Sequence, residues 1–288
     1  MSRARVPGHS HFQNYPEVDR HYPLIGPGDP PPFTTYNDHG EAHVLLVADH
    51  AKPYFPASMN QLGIADWVLE RHVAWDIGSD KLTYYLADEL DAPAILAGFS
   101  RLIVDPNRNL EDPTAFIEIS DGIAIPGNLD LSEKQKTLRA QSFFLPYHSA
   151  IASRLSEFQD RGVVPALISV HTCTPEFDRV VRPWHIGIMW DKDPRIPVPL
   201  IEHFNQIEEI CIGDNEPYSG RHPHDFTIDH HAEPAGLPHV GIEVRQDLVA
   251  EDDGARKWAS ILADGLRKIL AKEDLYRPLA GSEMAESA

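Results

Sequence analysis

Short apolar runs alternate along the chain with longer amphipathic segments, and this alternation constrains the fold more than any other feature of the sequence. The runs are strand-sized, and the segments between them have the three-to-four residue rhythm of helices, with a proline at position 146 that should kink or break one of them. This order predicts a three-layer α/β sandwich around a mixed, largely parallel sheet. The predicted strands are 43–48, 93–97, 102–105, 166–170, 185–190 and 240–244, and the predicted helices are 66–90, 132–158, 199–210 and 254–271.

The two ends of the chain lack this alternation. Residues 1–40 are rich in Pro, Gly, His and Tyr and have neither a helical nor a strand period, which predicts an extended arm or irregular cap. No internal repeat or low-complexity linker divides the sequence that follows. We therefore expect a Pro-rich arm over residues 1–40, a single catalytic α/β domain over 41–275 and a flexible tail over 276–288.

The charge balance narrows the range of partners. The 288 residues include 25 Lys and Arg against 44 Asp and Glu, a formal net charge of −19. This charge opposes binding to nucleic acid or to an anionic membrane surface, and no apolar run reaches the roughly 20 residues of a membrane helix. Two cysteines cannot form a disulfide framework, and the N-terminus has no apolar signal segment, so we expect a cytoplasmic protein.

Three of the apolar runs end in reactive side chains. His50 and His171 each follow a predicted strand, and Glu243 and Arg245 lie at the end of another. In open α/β sheets, ligands bind just beyond the carboxyl ends of the strands. Two histidines and one carboxylate are the usual protein ligands of a catalytic zinc, which keeps a fourth position for water. The sequence therefore suggests a single catalytic Zn²⁺, or another divalent metal.

The carboxylate ligand of this candidate zinc site is less well defined than its histidines. A glutamate three residues after His50 would be the obvious ligand, but Pro53 occupies that position. We choose Asp76, because it belongs to a predicted helix directly after the loop of His50. His72 lies four residues earlier on the same predicted helical face, so it stays a rival ligand.

Other hydrolytic machinery is missing from the sequence. It contains no G-x-S-x-G nucleophile elbow and no glycine-rich phosphate loop. Cys173 follows His171 by two residues, but a thiol in such a run is usually a buried packing residue. We interpret Cys173 in this way and not as a nucleophile.

Longer strings of residues are more specific than any ligand spacing. The chain contains Asp49-His-Ala51, Trp75-Asp-Ile-Gly78, Ser100-Arg-Leu-Ile-Val-Asp-Pro-Asn-Arg108, Ser169-Val-His171, Gly213-Asp-Asn-Glu-Pro-Tyr-Ser-Gly220 and Ile242-Glu-Val-Arg-Gln-Asp247. With these strings, residues 43–270 resemble the N-formylglutamate amidohydrolase family, which is related in fold to zinc carboxypeptidases and aspartoacylases. The resemblance implies a zinc-carboxypeptidase-like fold. It also implies a metal-dependent amidase that cleaves the N-formyl or other N-acyl amide of an acidic amino acid such as N-formyl-L-glutamate.

The resemblance assigns roles to individual residues. It implies that His50 and His171 bind the zinc, together with the region of Asp76. It also implies that Glu243 is the general base, which takes a proton from the attacking water and passes it to the leaving amine. Asn107 and Arg108 match an element that binds the substrate carboxylate in aspartoacylases, a task that suits a bidentate guanidinium. The remaining candidates for substrate binding or oxyanion stabilisation are Arg101, Asn215, Tyr218 and Arg245.

Two other functions stay open at this point. The chain could be an amidase for a peptide or cell-wall fragment, with the Pro-rich arm as a cap on its cleft. It could also be a non-catalytic homologue that binds a small molecule, although the joint presence of His50, His171 and Glu243 speaks against this. The expected partner is a small-molecule N-acyl amino acid, with the oligomeric state undefined. The arginines that would suit a dicarboxylate substrate are Arg101, Arg108, Arg182 and Arg245.

Overall fold

Five of the six apolar runs predicted as strands form strands, and six further short strands occur in the described residues. The computed structural model describes residues 22–221 and 225–277. In chain order the strands are β1 (Phe33–Tyr36), β2 (Val44–Ala48), β3 (Ala94–Ala97), β4 (Ile119–Ser120), β5 (Ile123–Ala124), β6 (Ala166–Cys173), β7 (Glu176–Phe177), β8 (Val180–Val181), β9 (Ile186–Met189), β10 (Ile212–Asp214) and β11 (His239–Arg245).

Seven of these strands form one sheet in the order β1-β3-β2-β6-β11-β9-β10. Neighbours among β3, β2, β6 and β11 are parallel, and so are β9 and β10. β1 is antiparallel to β3, and β9 is antiparallel to β11. β4 and β5 form a separate two-stranded hairpin, as do β7 and β8. The predicted mixed, largely parallel sheet is confirmed.

Helices cover both faces of the sheet. The α-helices in the described residues are α1 (Ser79–Leu90), α2 (Glu133–Arg139), α3 (Leu145–Asp160), α4 (Pro197–Phe204), α5 (Phe226–His231) and α6 (Asp252–Leu270). Side chains of β2 alternate between two cores: Val44 and Leu46 pack with α1, α4 and α6, whereas Leu45 and Val47 pack with α3 and α5. This is the predicted three-layer sandwich.

The predicted break in the helix 132–158 is confirmed. α2 begins after Ser132, whose hydroxyl accepts a hydrogen bond from the backbone of Gln135 in a capping box. A π-helical turn over Ala140–Phe144 then separates α2 from α3, just before Pro146. Proline has no amide hydrogen to give to the preceding turn, so the regular helix cannot run through this position.

The predicted helix 66–90 is wrong in its first half. Its first residues form a 3-10 helix and turns, and α1 begins only at Ser79. Gly78 has a φ of 84°, and a Cβ at this position would clash with a backbone carbonyl packed against it. Because residues 71–78 form turns and not a helix, His72 and Asp76 do not share a helical face.

The predicted strand 102–105 is also wrong, because these residues form a turn. The Oγ of Ser100 accepts a hydrogen bond from the amide of Leu102 at 3.2 Å, and the carbonyl of Ser100 accepts one from the amide of Ile103 at 3.1 Å. The apolar side chains of this turn pack in a separate core with Val73, Phe99 and the residues of the π-helical turn. Their apolar pattern therefore reflects burial and not a strand.

The arm predicted for residues 1–40 contains a strand. β1 lies at the edge of the sheet, where Phe33 pairs with Ala97 and Tyr36 with Ala94. Its four residues are too few for a strand period to show in the sequence, so the sequence did not predict this strand. Residues 1–21, and 278–288 of the predicted tail, lie outside the described residues, and the domain boundaries stay predictions. No helix in the described part of the chain is long and apolar enough to cross a membrane.

Candidate active site

The carboxyl ends of β2, β6 and β11 bring three of the predicted residues together. These strands are parallel neighbours, and Glu243 lies directly opposite His171 in the register of β11 and β6. His50 follows β2 by two residues. Because parallel strands end at the same edge of a sheet, His50, His171 and Glu243 line one cavity of about 500 Å³ at that edge.

His50, Asp76 and His171 form a buried group whose ligand atoms lie within 4.8 Å of one another. The Oδ2 of Asp76 lies 3.3 Å from the Nδ1 of His50 and 3.0 Å from the Nδ1 of His171. Ligands around a tetrahedral zinc are separated by about 3.3 Å, given metal–ligand distances of about 2.0 Å. The donor set and its spacing therefore fit a zinc ion. His72 does not join this group: its Nε2 lies 3.6 Å from Asp121.

The second nitrogen of each histidine faces a buried carboxylate. The Nε2 of His50 lies 2.8 Å from the Oδ1 of Asp105, and the Nε2 of His171 lies 3.3 Å from the Oδ2 of Asp49. Carboxylates in this position fix the ring orientation of metal-binding histidines and raise their basicity. We refer to these two carboxylates and the group His50, Asp76 and His171 as the floor of the cavity.

Asp49 is the most enclosed member of the floor and was not among the predicted site residues. Its carboxylate accepts hydrogen bonds from the hydroxyls of Tyr147 at 2.9 Å, Thr227 at 2.7 Å and Ser169 at 3.1 Å. Buried carboxylates need such donors to remain ionised. Its position directly before His50, at the end of β2, was the only sequence signal for this role.

The floor holds its carboxylates in the ionised form. Burial opposes the charge of Asp76, but the charge of His50 and the hydrogen bond from His171 hold the pKa of Asp76 well below its usual range. Burial also opposes the charge of Asp49, and the hydrogen bond from His171 lowers the pKa of Asp49 to about 2. Both groups are therefore anions at neutral pH, as a cation ligand and its supporting carboxylate must be.

Glu243 faces the same cavity in a different electrostatic state. Its Oε2 is buried and has no hydrogen-bond partner in the described part of the chain. Burial raises the pKa of Glu243 to about 7. A carboxylate with a pKa near neutrality can both take up and release a proton. Cys173 also lines the cavity as a buried side chain, and burial raises the pKa of its thiol, which disfavours the nucleophilic thiolate.

Arg101 lines the cavity and binds the floor. Its Nε and Nη2 donate to the Oδ2 of Asp105 at 3.0 and 2.6 Å, and its Nη1 lies 3.6 Å from the Oδ1 of Asp76. Arg101 thus joins the supporting carboxylate of His50 to the carboxylate of the candidate metal group. One edge of its guanidinium is committed to these contacts.

Asn107 and Arg108, which the sequence predicts to bind the substrate, also line the cavity. The Oδ1 of Asn107 accepts a hydrogen bond from the backbone of Thr227 at 2.9 Å, which fixes the start of α5 beside the site. The Nη1 of Arg108 donates to the carbonyl of Asn107 at 2.9 Å. Tyr218 is a fourth predicted residue on the wall, and its hydroxyl accepts a hydrogen bond from Arg182 at 3.0 Å.

Comparisons with known proteins show the family to which the chain belongs. A sequence profile of the N-formylglutamate amidohydrolase family matches residues 42–250. The chain belongs to this family. The match confirms the resemblance inferred from the sequence strings, and it makes the chain a member of a family of amidohydrolases.

Two solved structures resemble this family member. One is a gene product from Agrobacterium tumefaciens with 30% sequence identity and a TM-score of 0.83. The matched region covers 86% of this chain and 98% of that chain. The other is an N-formylglutamate amidohydrolase from Ralstonia eutropha with 18% identity and a TM-score of 0.57, covering 83% and 95% of the two chains. The second likeness shows the fold alone. A comparison with curated proteins gives no match.

Two predicted site residues of this family member do not line the cavity. The Oδ1 of Asn215 accepts hydrogen bonds from the backbone amides of Trp190 at 3.0 Å and Gly220 at 2.9 Å, so it organises its own loop. Arg245 lies on the same strand as Glu243, but its guanidinium pairs with Asp247 at 2.8 Å. The structure thus shows backbone and ion-pair partners for these side chains, and their predicted roles toward a substrate stay untested.

The sequence interpretation missed several residues on the wall of this family member. Asp225 is buried in the wall, where its Oδ1 accepts from the backbone of Ile228 at the start of α5, and burial raises its pKa to about 6. The aspartate before Phe226–His231 was a readable helix-start signal. Ile119 and Phe177 come from the two hairpins, whose strands of two residues are too short for a sequence period.

Proposed function

We propose that the protein is a zinc-dependent amidohydrolase that cleaves the N-formyl or other N-acyl amide of an amino acid. The convergence of His50, Asp76 and His171 beside Glu243 in one cavity carries this proposal. N-formyl-L-glutamate is the first substrate to test, because the family is named after its hydrolysis. The proposal also takes the substrate to be a free small molecule, and the compartment to be the cytoplasm, which suits two unpaired cysteines.

The proposed reaction divides the work between the metal and the residues of the cavity. A bound zinc supplies a Lewis acid that polarises the amide carbonyl and makes water more acidic. Glu243 accepts the proton of the attacking water on its unpartnered carboxylate and then gives it to the nitrogen of the leaving amino acid. Arg108 binds the carboxylate of the amino acid and so fixes the amide above the floor.

The direct test combines metal analysis with substrate assays. The purified chain should contain about one zinc per molecule. Activity on N-formyl-L-glutamate, N-acetyl-L-aspartate and N-formyl-L-aspartate should disappear after treatment with a chelator and return when zinc is added. Full activity in protein stripped of metal would contradict the metal dependence. A zinc-loaded protein that cleaves no N-acyl amino acid would contradict the function.

A further inference from the structure

The arginines of the cavity wall suit a substrate with one carboxylate. Arg101 and Arg108 are the arginines in the described lining, and Arg101 already binds Asp105. Arg108 would bind one substrate carboxylate. The described lining offers no further arginine for a second substrate carboxylate.

The other arginines that suggested a dicarboxylate substrate are engaged elsewhere. Arg182 donates to the Oγ1 of Thr174 at 3.1 Å and to the hydroxyl of Tyr218 at 3.0 Å. Its guanidinium also lies 5.1 Å from the ring of Phe177 and 4.7 Å from that of Tyr218. Arg245 is paired with its neighbouring aspartate, and neither arginine belongs to the described lining. The arginine set therefore gives no support for a second substrate carboxylate.

Apolar side chains are concentrated at the mouth of the cavity. Ile119, Phe177 and Tyr218 line it and are 62%, 42% and 44% exposed. Nine large hydrophobic side chains are exposed in the described residues, and Val180 and Val181, on the same hairpin as Phe177, are two more of them. Such clustering beside a cavity is typical of a ligand-binding surface. We refer to Ile119, Phe177 and Tyr218 as the apolar rim.

The size of the cavity also exceeds the needs of a small formylated amino acid. Its volume of about 500 Å³ falls within the range of pockets for drug-sized ligands, roughly 300–1,000 Å³. A second, neighbouring cavity shares the wall residues Thr114, Ile117 and Ile119 with it. A substrate that fills this space must extend from the floor to the rim.

We propose that the substrate carries a single carboxylate and an apolar group, aliphatic or aromatic, that packs against the apolar rim. This inference rests on the proposed amidohydrolase function. It differs only in expecting an apolar group on the substrate where N-formyl-L-glutamate has an acidic side chain. The apolar group belongs either to the side chain of the amino acid or to the acyl chain. Both share the same chemistry, and the experiment below separates them.

The test compares four substrates on the zinc-loaded enzyme: N-formylglycine, N-formyl-L-leucine, N-hexanoylglycine and N-formyl-L-glutamate. At least one apolar substrate should exceed N-formylglycine in kcat/KM by about tenfold, the gain from burying roughly half of a leucine side chain. It should exceed N-formyl-L-glutamate by at least the same factor. An advantage of the leucine compound places the side chain at the rim, and an advantage of the hexanoyl compound places the acyl chain there.

Rim variants connect this preference to the structure. In Ile119→Ser and Phe177→Ser, the ratio of kcat/KM for the preferred apolar substrate to that for N-formylglycine should fall by roughly three- to tenfold. The control Val164→Ser removes an apolar side chain that is 40% exposed and does not line the cavity. It should leave the ratio unchanged, and thermal melts should show that all three variants remain folded.

A binding measurement keeps this inference separate from the proposed function. Calorimetry with the Glu243→Gln variant gives the Kd of the same four compounds without turnover, and the apolar compounds should bind most tightly. If the wild type cleaves none of them but this order of Kd holds, the proposed function is wrong and the apolar rim is still a binding surface. If N-formyl-L-glutamate is both the best substrate and the tightest ligand, the function stands and the inference is overturned.

Discussion

The floor and the apolar rim of one cavity are built in opposite ways. His50, Asp76 and His171 are 3%, 6% and 3% exposed. The two histidines lie at or near strand ends in the central sheet, and Asp76 lies in the turn segment before α1. The rim comes from a loop and two small hairpins, and its side chains are 42–62% exposed. Each charged group of the floor has a partner, because a buried charge without one is costly. The side chains of the rim are uncharged and exposed, so they need no such partners.

This difference separates the chemistry of the site from its choice of substrate. A group of ligands must keep its geometry to within a few tenths of an ångström to hold a metal, and the sheet supplies that rigidity. Exposed side chains can change with little effect on stability, usually within about 0.5 kcal/mol. Substitutions in the floor should therefore abolish or strongly weaken the reaction with every substrate. Substitutions at the rim should instead change the ratio of kcat/KM between substrates.

The largest effect is expected from His171→Ala. The variant removes one of the three candidate zinc ligands, His50, Asp76 and His171. The two that remain are too few to hold a catalytic zinc tightly. Zinc content, measured by atomic absorption, should fall from about one equivalent to near zero, and hydrolysis should fall to background. His39→Ala, at an exposed position, should retain both. Full zinc content in His171→Ala would remove His171 from the ligand set.

Glu243→Gln should leave the metal and remove the base. Glutamine has nearly the same shape but cannot take the proton of the attacking water, so kcat should fall by roughly 10²–10⁴. Zinc content should remain that of the wild type, which distinguishes a base from a ligand. Glu208→Gln, at an exposed glutamate, is the matched control. Near wild-type turnover in Glu243→Gln would refute the assigned base, even with a correct metal site.

The sequence could predict the two histidines of the floor, and Glu243, because these residues occupy local positions with a known meaning. His50, His171 and Glu243 follow or end apolar runs, and parallel strands carry such ends to one edge. The choice between Asp76 and His72 depended on a helix that does not exist. Residues 71–78 form turns, and the amide of Asp76 donates to the carbonyl of His50 at 2.9 Å, a contact that a helical period cannot reveal.

The rim and the supporting contacts could not be predicted, because they depend on distant parts of the chain. Ile119 and Phe177 belong to strands of two residues, which have no detectable period. Asp49 meets Tyr147 and Thr227 only after α3 and α5 pack on the sheet. The resemblance likewise identified Arg245 as a candidate but could not predict where its side chain points. In the structure its guanidinium pairs with Asp247.

Asp49→Asn should weaken the metal site without removing a ligand. The change eliminates the charge 3.3 Å from the Nε2 of His171, and loss of such a supporting carboxylate typically lowers metal affinity by about 10–100-fold. Competition with a chelator of known affinity measures this change. Tyr147→Phe removes a hydroxyl from the other carboxylate oxygen, so it should weaken zinc binding less. Equal zinc affinity in Asp49→Asn and wild type would show that the floor does not need this charge.

The smallest expected effect lies between the floor and the rim, at the half-buried Arg108. In Arg108→Lys a forked, bidentate donor becomes a single ammonium, so one hydrogen bond to the substrate carboxylate is lost. KM should rise about tenfold, or about 1.4 kcal/mol, with a smaller change in kcat, because the contact orients the substrate and takes no part in proton transfer. The exposed Arg161→Lys is the matched control and should change neither constant. If Arg108→Lys folds normally and keeps the wild-type KM, the substrate carboxylate binds elsewhere on the wall. The floor and the rim must then orient the substrate without Arg108.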